Sequence, residues 1–202
     1  TRVVQNIIKG ISKNKFEIYL LTLLNKNNHQ VENDIKELGV KVINMNLKKG
    51  KLGIVFNKKK IIKIINDISP DIIHVHGIEM SYIVGTKDIK CKKITTIHNN
   101  MYEDYKYSYG KIKGKVIEYL HIKWLKKFDE NICCSETSYN YLKNKLKNVC
   151  FIRNGVDVEH CDKNIRNKIR NELKLKEDDV VYIYGGVISN LKRVYELIKL
   201  FK

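Results

Sequence analysis

Apolar positions along this chain switch repeatedly between helical spacing and short continuous runs. Val3, Val4, Ile7, Ile8 and Ile11 recur at i, i+3, i+4 and predict a helix over residues 2–13. Residues 16–24 are a nearly unbroken apolar run that predicts a buried strand, ended by the polar cluster 25–28. A short helix over 31–38, stopped by Gly39, and a strand over 40–45 follow. The Lys/Gly linker 48–53 leads to a helix over 54–68, with Ile61, Ile62, Ile64, Ile65 and Ile68 facing a core until Ser69-Pro70 breaks it. Residues 71–76 read as a strand ending at Gly77, and 93–98 as a strand ending at Asn99-Asn100. The Tyr-rich segment 101–110 has no clear period, whereas 111–128 is a long basic helix. Strands over 129–134 and 149–152 flank a helix over 136–146. A last strand over 180–184 runs into Gly185-Gly186, and a helix containing Lys192 and Arg193 follows.

Strands too apolar to have a wet face, alternating with amphipathic helices, indicate an α/β fold: a Rossmann-like, mostly parallel sheet with helices on both faces. The stretch Arg153-Asn154-Gly155-Val156-Asp157 organises it, because Asn-Gly is a strong turn signal whose residues tolerate positive φ. Before it the βα rhythm is complete; after it a basic helix and a fresh strand begin another unit. The expected division is residues 1–160 and residues 161–202. The length of 202 residues suits one domain and part of a second. Thr1 opens on a helix with no strand to pack it, and Lys202 stops within a turn of the final helical run, so an excerpt of a longer protein is expected.

Charge changes this picture only partly. The formal charge is +17, but five of the 39 basic residues are Arg and Lys is spread along most of the chain. Nucleic-acid binding needs basic residues focused on one face, so no nucleic acid is expected, while a basic surface for anionic lipid or phosphorylated ligands stays open. The five cysteines (91, 133, 134, 150, 161) form no C-x-x-C pair and read as small buried residues of a reducing compartment. No apolar run is long enough to span a bilayer.

In open parallel sheets ligands bind beyond the carboxyl ends of the strands. The residues there are His74, His76 and Gly77; His98 and Asn99; Ser135; Arg153 to Asp157; and Gly185 with Gly186. His74 and His76, two apart, share a face and either begin a metal site or simply hydrogen-bond at a strand end; no further ligand cluster accompanies them, and no metal is expected. His98 is either a sugar-hydroxyl donor or general acid/base, or a cap for the following loop. Gly185-Gly186 before a helix bearing Lys192 and Arg193 has the layout of a phosphate site, although neither G-x-x-x-x-G-K-[ST] nor G-x-G-x-x-G occurs.

The succession PDIIHVHG (70–77), ITTIHNN (94–100), ICCSETSYNYL (132–142), VCFIRNGVD (149–157) and VVYIYGGVISNLKRVYELI (180–198) resembles, in order and spacing, glycosyltransferase family 4 of the GT-B fold, in its bacterial form. The opening TRVVQNIIKGISKNKFEIYLLT looks like the first helix and second strand of that fold. The resemblance implies an acceptor-side N-terminal domain lacking its first strand, then the first helix-strand-helix of a nucleotide-sugar-binding domain. It implies that His98 contacts the donor sugar, that Asn154, Gly155 and Asp157 lie at the domain junction, and that Gly185 and Lys192 meet the donor diphosphate. Gly186 stands where the family usually has Arg, and Arg193 is the nearby cation. The implied reaction is metal-free, retaining transfer from a nucleotide-sugar to a glycan or lipid-linked acceptor in cell-surface polysaccharide synthesis. A sugar-nucleotide epimerase of the same frame and a non-catalytic binding module are the alternatives.

One helix implies a location. Ile112, Val116, Ile117, Leu120, Trp124, Leu125 and Phe128 fall on one broad face between Lys111 and Phe128, with Lys113, Lys115, Lys123, Lys126 and Lys127 on its flanks and back. Such a helix suits an anionic membrane surface, its apolar face either packed on the sheet or lipid-directed. A cytoplasmic protein, peripheral at the inner face of the cell membrane, is the expectation.

Overall fold

The computed structural model describes residues 2–24, 29–48, 50–156, 162–189 and 192–201. The chain divides into two units, residues 1–155 and 156–202.

The first unit runs α1 (Arg2–Gly10), β1 (Tyr19–Leu24), α2 (His29–Glu37), β2 (Lys41–Leu47), α3 (Gly50–Phe56), α4 (Lys58–Ile68), β3 (Ile72–His76), α5 (Ile78–Gly85), β4 (Lys92–Ile97), α6 (Met101–Tyr109), α7 (Lys111–Leu125), β5 (Glu130–Cys133), α8 (Glu136–Leu142) and β6 (Val149–Phe151). All strand pairs are parallel, in two sheets of order β1-β2 and β3-β4-β5-β6. This is the α/β architecture of parallel sheets and flanking helices that the sequence pattern predicts.

The period of two along each strand separates two chemistries. In β3 to β6 the register aligns Val75 with Thr95 and Asn131, and Ile97 with Cys133 and Phe151. This face packs on Ile61 and Ile65 of α4, Ile83 and Val84 of α5, Leu125 of α7 and Leu142 of α8, forming the main core with the inward side chains of β1 and β2. Each fully buried Ile or Leu there contributes about 1.5–3 kcal/mol. The opposite face presents His74, His76, Thr96, Ile132 and Cys150, and α1 lies against it. A smaller core of Ile8, Ile35 and Val40 joins α1 and α2 to the β1-β2 pair.

Several elements differ from the sequence expectation. The helix expected over 54–68 is two helices, starting within the presumed linker and broken at Asn57, whose amide donates to the Gly53 carbonyl at 2.8 Å. A short polar side chain that bonds the backbone four residues back competes with the helical ladder. The segment 101–110, left without a period, is helix α6: acidic Glu103 and Asp104 sit in its first turn, and tertiary burial of Met101 replaces the missing stripe.

Helix α7 buries the C-terminal part of the apolar stripe and leaves its N-terminal part exposed. Its buried residues are Gly114, Glu118, His121 and Leu125, while Ile112 is 83% exposed, Val116 55% and Tyr119 68%. The cause is backbone proximity at Gly114, where an added Cβ would stand 2.7 Å from the Tyr105 carbonyl oxygen of α6. A glycine at the crossing lets α6 approach that side, so polar Glu118 and His121 are drawn inward with it. Glu118 is there matched by the Tyr141 hydroxyl and by Lys145 at 3.1 Å. Trp124 and Ile117 are half-buried and Phe128 is buried.

The second unit contains α9 (Lys163–Glu172) and α10 (Val194–Lys199). Residues 180–184 carry no strand, contrary to expectation. A strand needs a neighbour to take its backbone hydrogen bonds, and among the described residues of this unit there is none. Lys192 and Arg193 precede α10 rather than lying within it, Arg193 forming its N-cap with φ +51°. The strand of the expected helix-strand-helix is therefore not formed over residues 180–184.

Candidate active site

The parallel sheet delivers its strand ends to one edge, and the side chains there follow from strand parity. His74 and His76 of β3, Thr96 of β4, His98 just past β4 and Cys134 just past β5 share the face opposite the main core. The three imidazoles adjoin one another: His74 and His76 have ring centroids 4.6 Å apart and planes at 28°, and His76 and His98 have centroids 5.2 Å apart and planes at 19°. His74 Nε2 meets the Thr96 hydroxyl at 2.7 Å, and His76 Nδ1 meets His98 Nε2 at 2.9 Å.

A second set of contacts reaches His98 from the other side. Cys134 Sγ lies 3.6 Å from His98 Nδ1 and donates to Asn154 Oδ1 at 3.2 Å. Asn154 follows β6, so β3, β4, β5 and β6 each supply one member of the row His76, His98, Cys134, Asn154. Below it a cavity of 350 Å³ is lined by Asn6 and Ile7 of α1, His74, Thr96, Ile132 and Cys134. Asn6 closes its rim by donating to the Gly155 carbonyl at 3.0 Å.

Electrostatics keep this row neutral. Burial lowers the pKa of His74, His76 and His98, His76 to about 4, with the neighbouring imidazoles adding to the effect on His74 and His76. Burial pushes the Cys134 thiol up, and its bond to Asn154 acts in the opposite direction. Three adjoining cationic rings would be mutually repulsive, so the neutral state is the consistent one. As for a metal, both His74 and His76 are already engaged, and among the described residues no group of three or more His, Cys, Asp or Glu is placed to hold an ion.

The other predicted positions have separate places. Gly77 is the N-cap of α5 at φ +89°, a conformation that L side chains rarely adopt. Ser135 caps α8, accepting from the Ser138 amide at 3.2 Å, and Ser138 Oγ donates to the Asn99 carbonyl at 3.3 Å. Arg153 is exposed, its guanidinium 5.5 Å from the Phe151 ring centroid. Neither Asn154 nor Gly155 has positive φ, contrary to the turn expected from Asn-Gly, because Cys134 and Asn6 instead hold the two residues by side chain and carbonyl. Asp157 lies outside the described residues.

The expected phosphate-binding residues belong to the second unit. Gly185 has open space around it, and Gly186 sits under the Tyr184 phenol, which donates to the Val187 carbonyl at 3.0 Å. Lys192 is exposed, whereas Arg193 is paired with Glu196 through Nε at 2.7 Å. Cys134, Thr96 and Asn6 are the members of the site that sequence reasoning missed. Cys134 was detectable in principle, since it follows a strand and precedes the helix-capping Ser135, but an apolar Cys-Cys run signals only core.

Parallel sheets with flanking helices, and polar side chains gathered at the carboxyl edge, are the architecture of a Rossmann-like domain. The chain belongs to glycosyltransferase family 4: the family profile described as Glycosyltransferase Family 4 matches residues 1–160. It is similar to two Escherichia coli proteins, each named O-antigen biosynthesis glycosyltransferase WclY, at 32% identity over 130 residues. That similarity covers 61% of this chain, and the chain spans about a third, 35%, of the length of those relatives.

Proposed function

We propose that the protein transfers a sugar, with retention and without a metal, from a nucleotide-sugar donor to a glycan or lipid-linked acceptor in the synthesis of a cell-surface polysaccharide. Residues 1–160 would form the acceptor-side domain and 161–202 the start of the donor domain. The observation that carries this reading is the position of His98, exposed at the strand-end row and held neutral, in a chain whose family profile spans that row. A neutral imidazole there can exchange a hydrogen bond with a sugar hydroxyl and stabilise charge developing as the glycosidic bond breaks. Gly185, Gly186 and Lys192 are assigned to the donor diphosphate, with backbone NH groups and one ammonium neutralising the leaving group.

In the full-length enzyme His98→Ala is expected to lower sugar transfer roughly a hundredfold with little loss of thermal stability. Turnover within a few-fold of the parent enzyme overturns the assignment. The pairing of Arg193 with Glu196, and Gly186 where the family usually has Arg, favour a second reading as a non-catalytic binding module. Calorimetry separates them, because donor binding without transfer is the module's signature.

We further propose a place at the cytoplasmic face of an anionic membrane, where lipid-linked acceptors are presented. No helix among the described residues is long and apolar enough to cross a membrane. The support for a peripheral attachment is the outward face of α7.

A further inference from the structure

The row His76, His98, Cys134, Asn154 has a direction that its end group determines. Asn154 Oδ1 is an amide oxygen and only accepts, so the single thiol proton of Cys134 is spent on it at 3.2 Å. At the 3.6 Å contact the sulfur then accepts, and His98 must carry its proton on Nδ1. A neutral imidazole has one such proton, which leaves His98 Nε2 as the acceptor for His76 Nδ1–H at 2.9 Å. The three bonds run one way: His76 to His98, His98 to Cys134, Cys134 to Asn154.

We propose that Cys134 is a positioning residue that holds His98 in the Nδ1–H tautomer and ties its orientation to Asn154. The proposal rests on the reading of His98 as the group that meets the sugar. Three observations support it beyond the distances. The His76 and His98 rings are only 19° from parallel, as an in-plane hydrogen bond between them requires, so His76 fixes the plane of His98. Cys134 is half-buried beside the rim that Asn6 and Gly155 close, so its sulfur has little freedom to leave. His76 ends β3, and His98 and Cys134 directly follow the paired residues Ile97 and Cys133, so the sheet register sets the spacing of these three. A thiol suits this place because its long, weak contact holds the ring without competing with a substrate hydroxyl. Displacement of either neighbour by a sugar hydroxyl would then reverse or break the chain at His98, which places the recognition event at that ring.

The test has two arms. In the first, the 202-residue chain is labelled with ¹⁵N-histidine, and long-range ¹H–¹⁵N spectra at neutral pH report which ring nitrogen of His98 carries the proton. The expected result is Nδ1–H in the parent protein, loss of that single tautomer in Cys134→Ala, and its retention in Cys134→Ser, whose hydroxyl both donates and accepts. An Nε2–H ring in the parent protein, or a ring unchanged in Cys134→Ala, overturns the proposal. In the second arm, transfer by the full-length enzyme is expected to fall roughly ten- to a hundredfold in kcat for Cys134→Ala, with donor KM nearly constant and recovery in Cys134→Ser. An unchanged kcat in Cys134→Ala overturns the positioning role. If the parent enzyme transfers no sugar while the tautomer results hold, the sugar-transfer reading fails and the arrangement of the ring stands.

Discussion

At the scale of single residues, the histidines give the protein a defined response to acid. His121 on α7 is buried: its Nδ1 meets the Tyr105 hydroxyl at 2.7 Å, its Nε2 has no partner, and burial lowers its pKa to about 4. His76 is lowered to about 4 as well, first by burial and then by its neighbouring rings. In the unfolded chain both return to the ordinary value near 6.5. Because the folded value is the lower one, the unfolded state binds more protons between the two values, and the sign of the linkage is that stability falls as pH falls. The contribution is fully present above pH about 6.5 and is lost towards pH about 4, on the order of 3 kcal/mol for His121. The urea midpoint is therefore expected to drop between neutral pH and pH 5, and the drop to be shallower in His121→Gln. An identical pH slope in the variant would falsify this assignment.

At the scale of an element, α7 turns only part of its apolar stripe to the core. Ile112, Val116, Tyr119 and Leu120 point outward, interleaved with exposed Lys113, Lys115, Lys123, Lys126 and Lys127, and the helix's single acidic residue, Glu118, is buried. Exposed apolar groups ringed by like charges are the composition of a membrane-surface helix, and each Lys near an anionic leaflet is worth about 1 kcal/mol. The protein is expected to sediment with anionic but not neutral liposomes at low salt. Replacing the five lysines with Gln should abolish this. Ile112→Glu with Val116→Glu should weaken it strongly without unfolding the protein, since both side chains already meet water. Protein that stays in the supernatant with anionic liposomes at low salt rules out membrane docking, and the +17 charge is then a matter of composition.

At the scale of the whole molecule, the two units differ in what holds them together. The first has a continuous core under a four-stranded parallel sheet. In the second, Val194 is the buried residue among those described, while Val180 is 76% and Ile183 89% exposed. Apolar, β-prone sequence without a paired neighbour has neither backbone protection nor burial. Hydrogen exchange should therefore be fast across residues 180–187 and slow across β4, by several orders of magnitude in rate. Equal protection in both segments would show that residues 180–187 are paired after all.

What the sequence determined by itself is the layer pattern and the edge where polar side chains gather. Short runs rich in Ile, Val, Thr and Cys identify β3, β4, β5 and β6 nearly residue by residue, because the strands of a covered parallel sheet are mostly apolar. The rule that ligands meet the carboxyl ends of such strands then selects His76, His98 and Asn154 without any coordinates. Tertiary structure decided what depends on neighbours distant in sequence. The close approach at Gly114 drew Glu118 and His121 inward and left Ile112 and Val116 of the apolar stripe exposed. With no pairing partner among the described residues of its unit, 180–184 forms no strand. The register of four strands brought Cys134, written in the sequence as one more core cysteine, between His98 and Asn154. Local pattern encodes burial and period, but a contact between side chains 20 or 36 positions apart exists only once the sheet has set its register, and so the site's hydrogen-bond direction belongs to the fold.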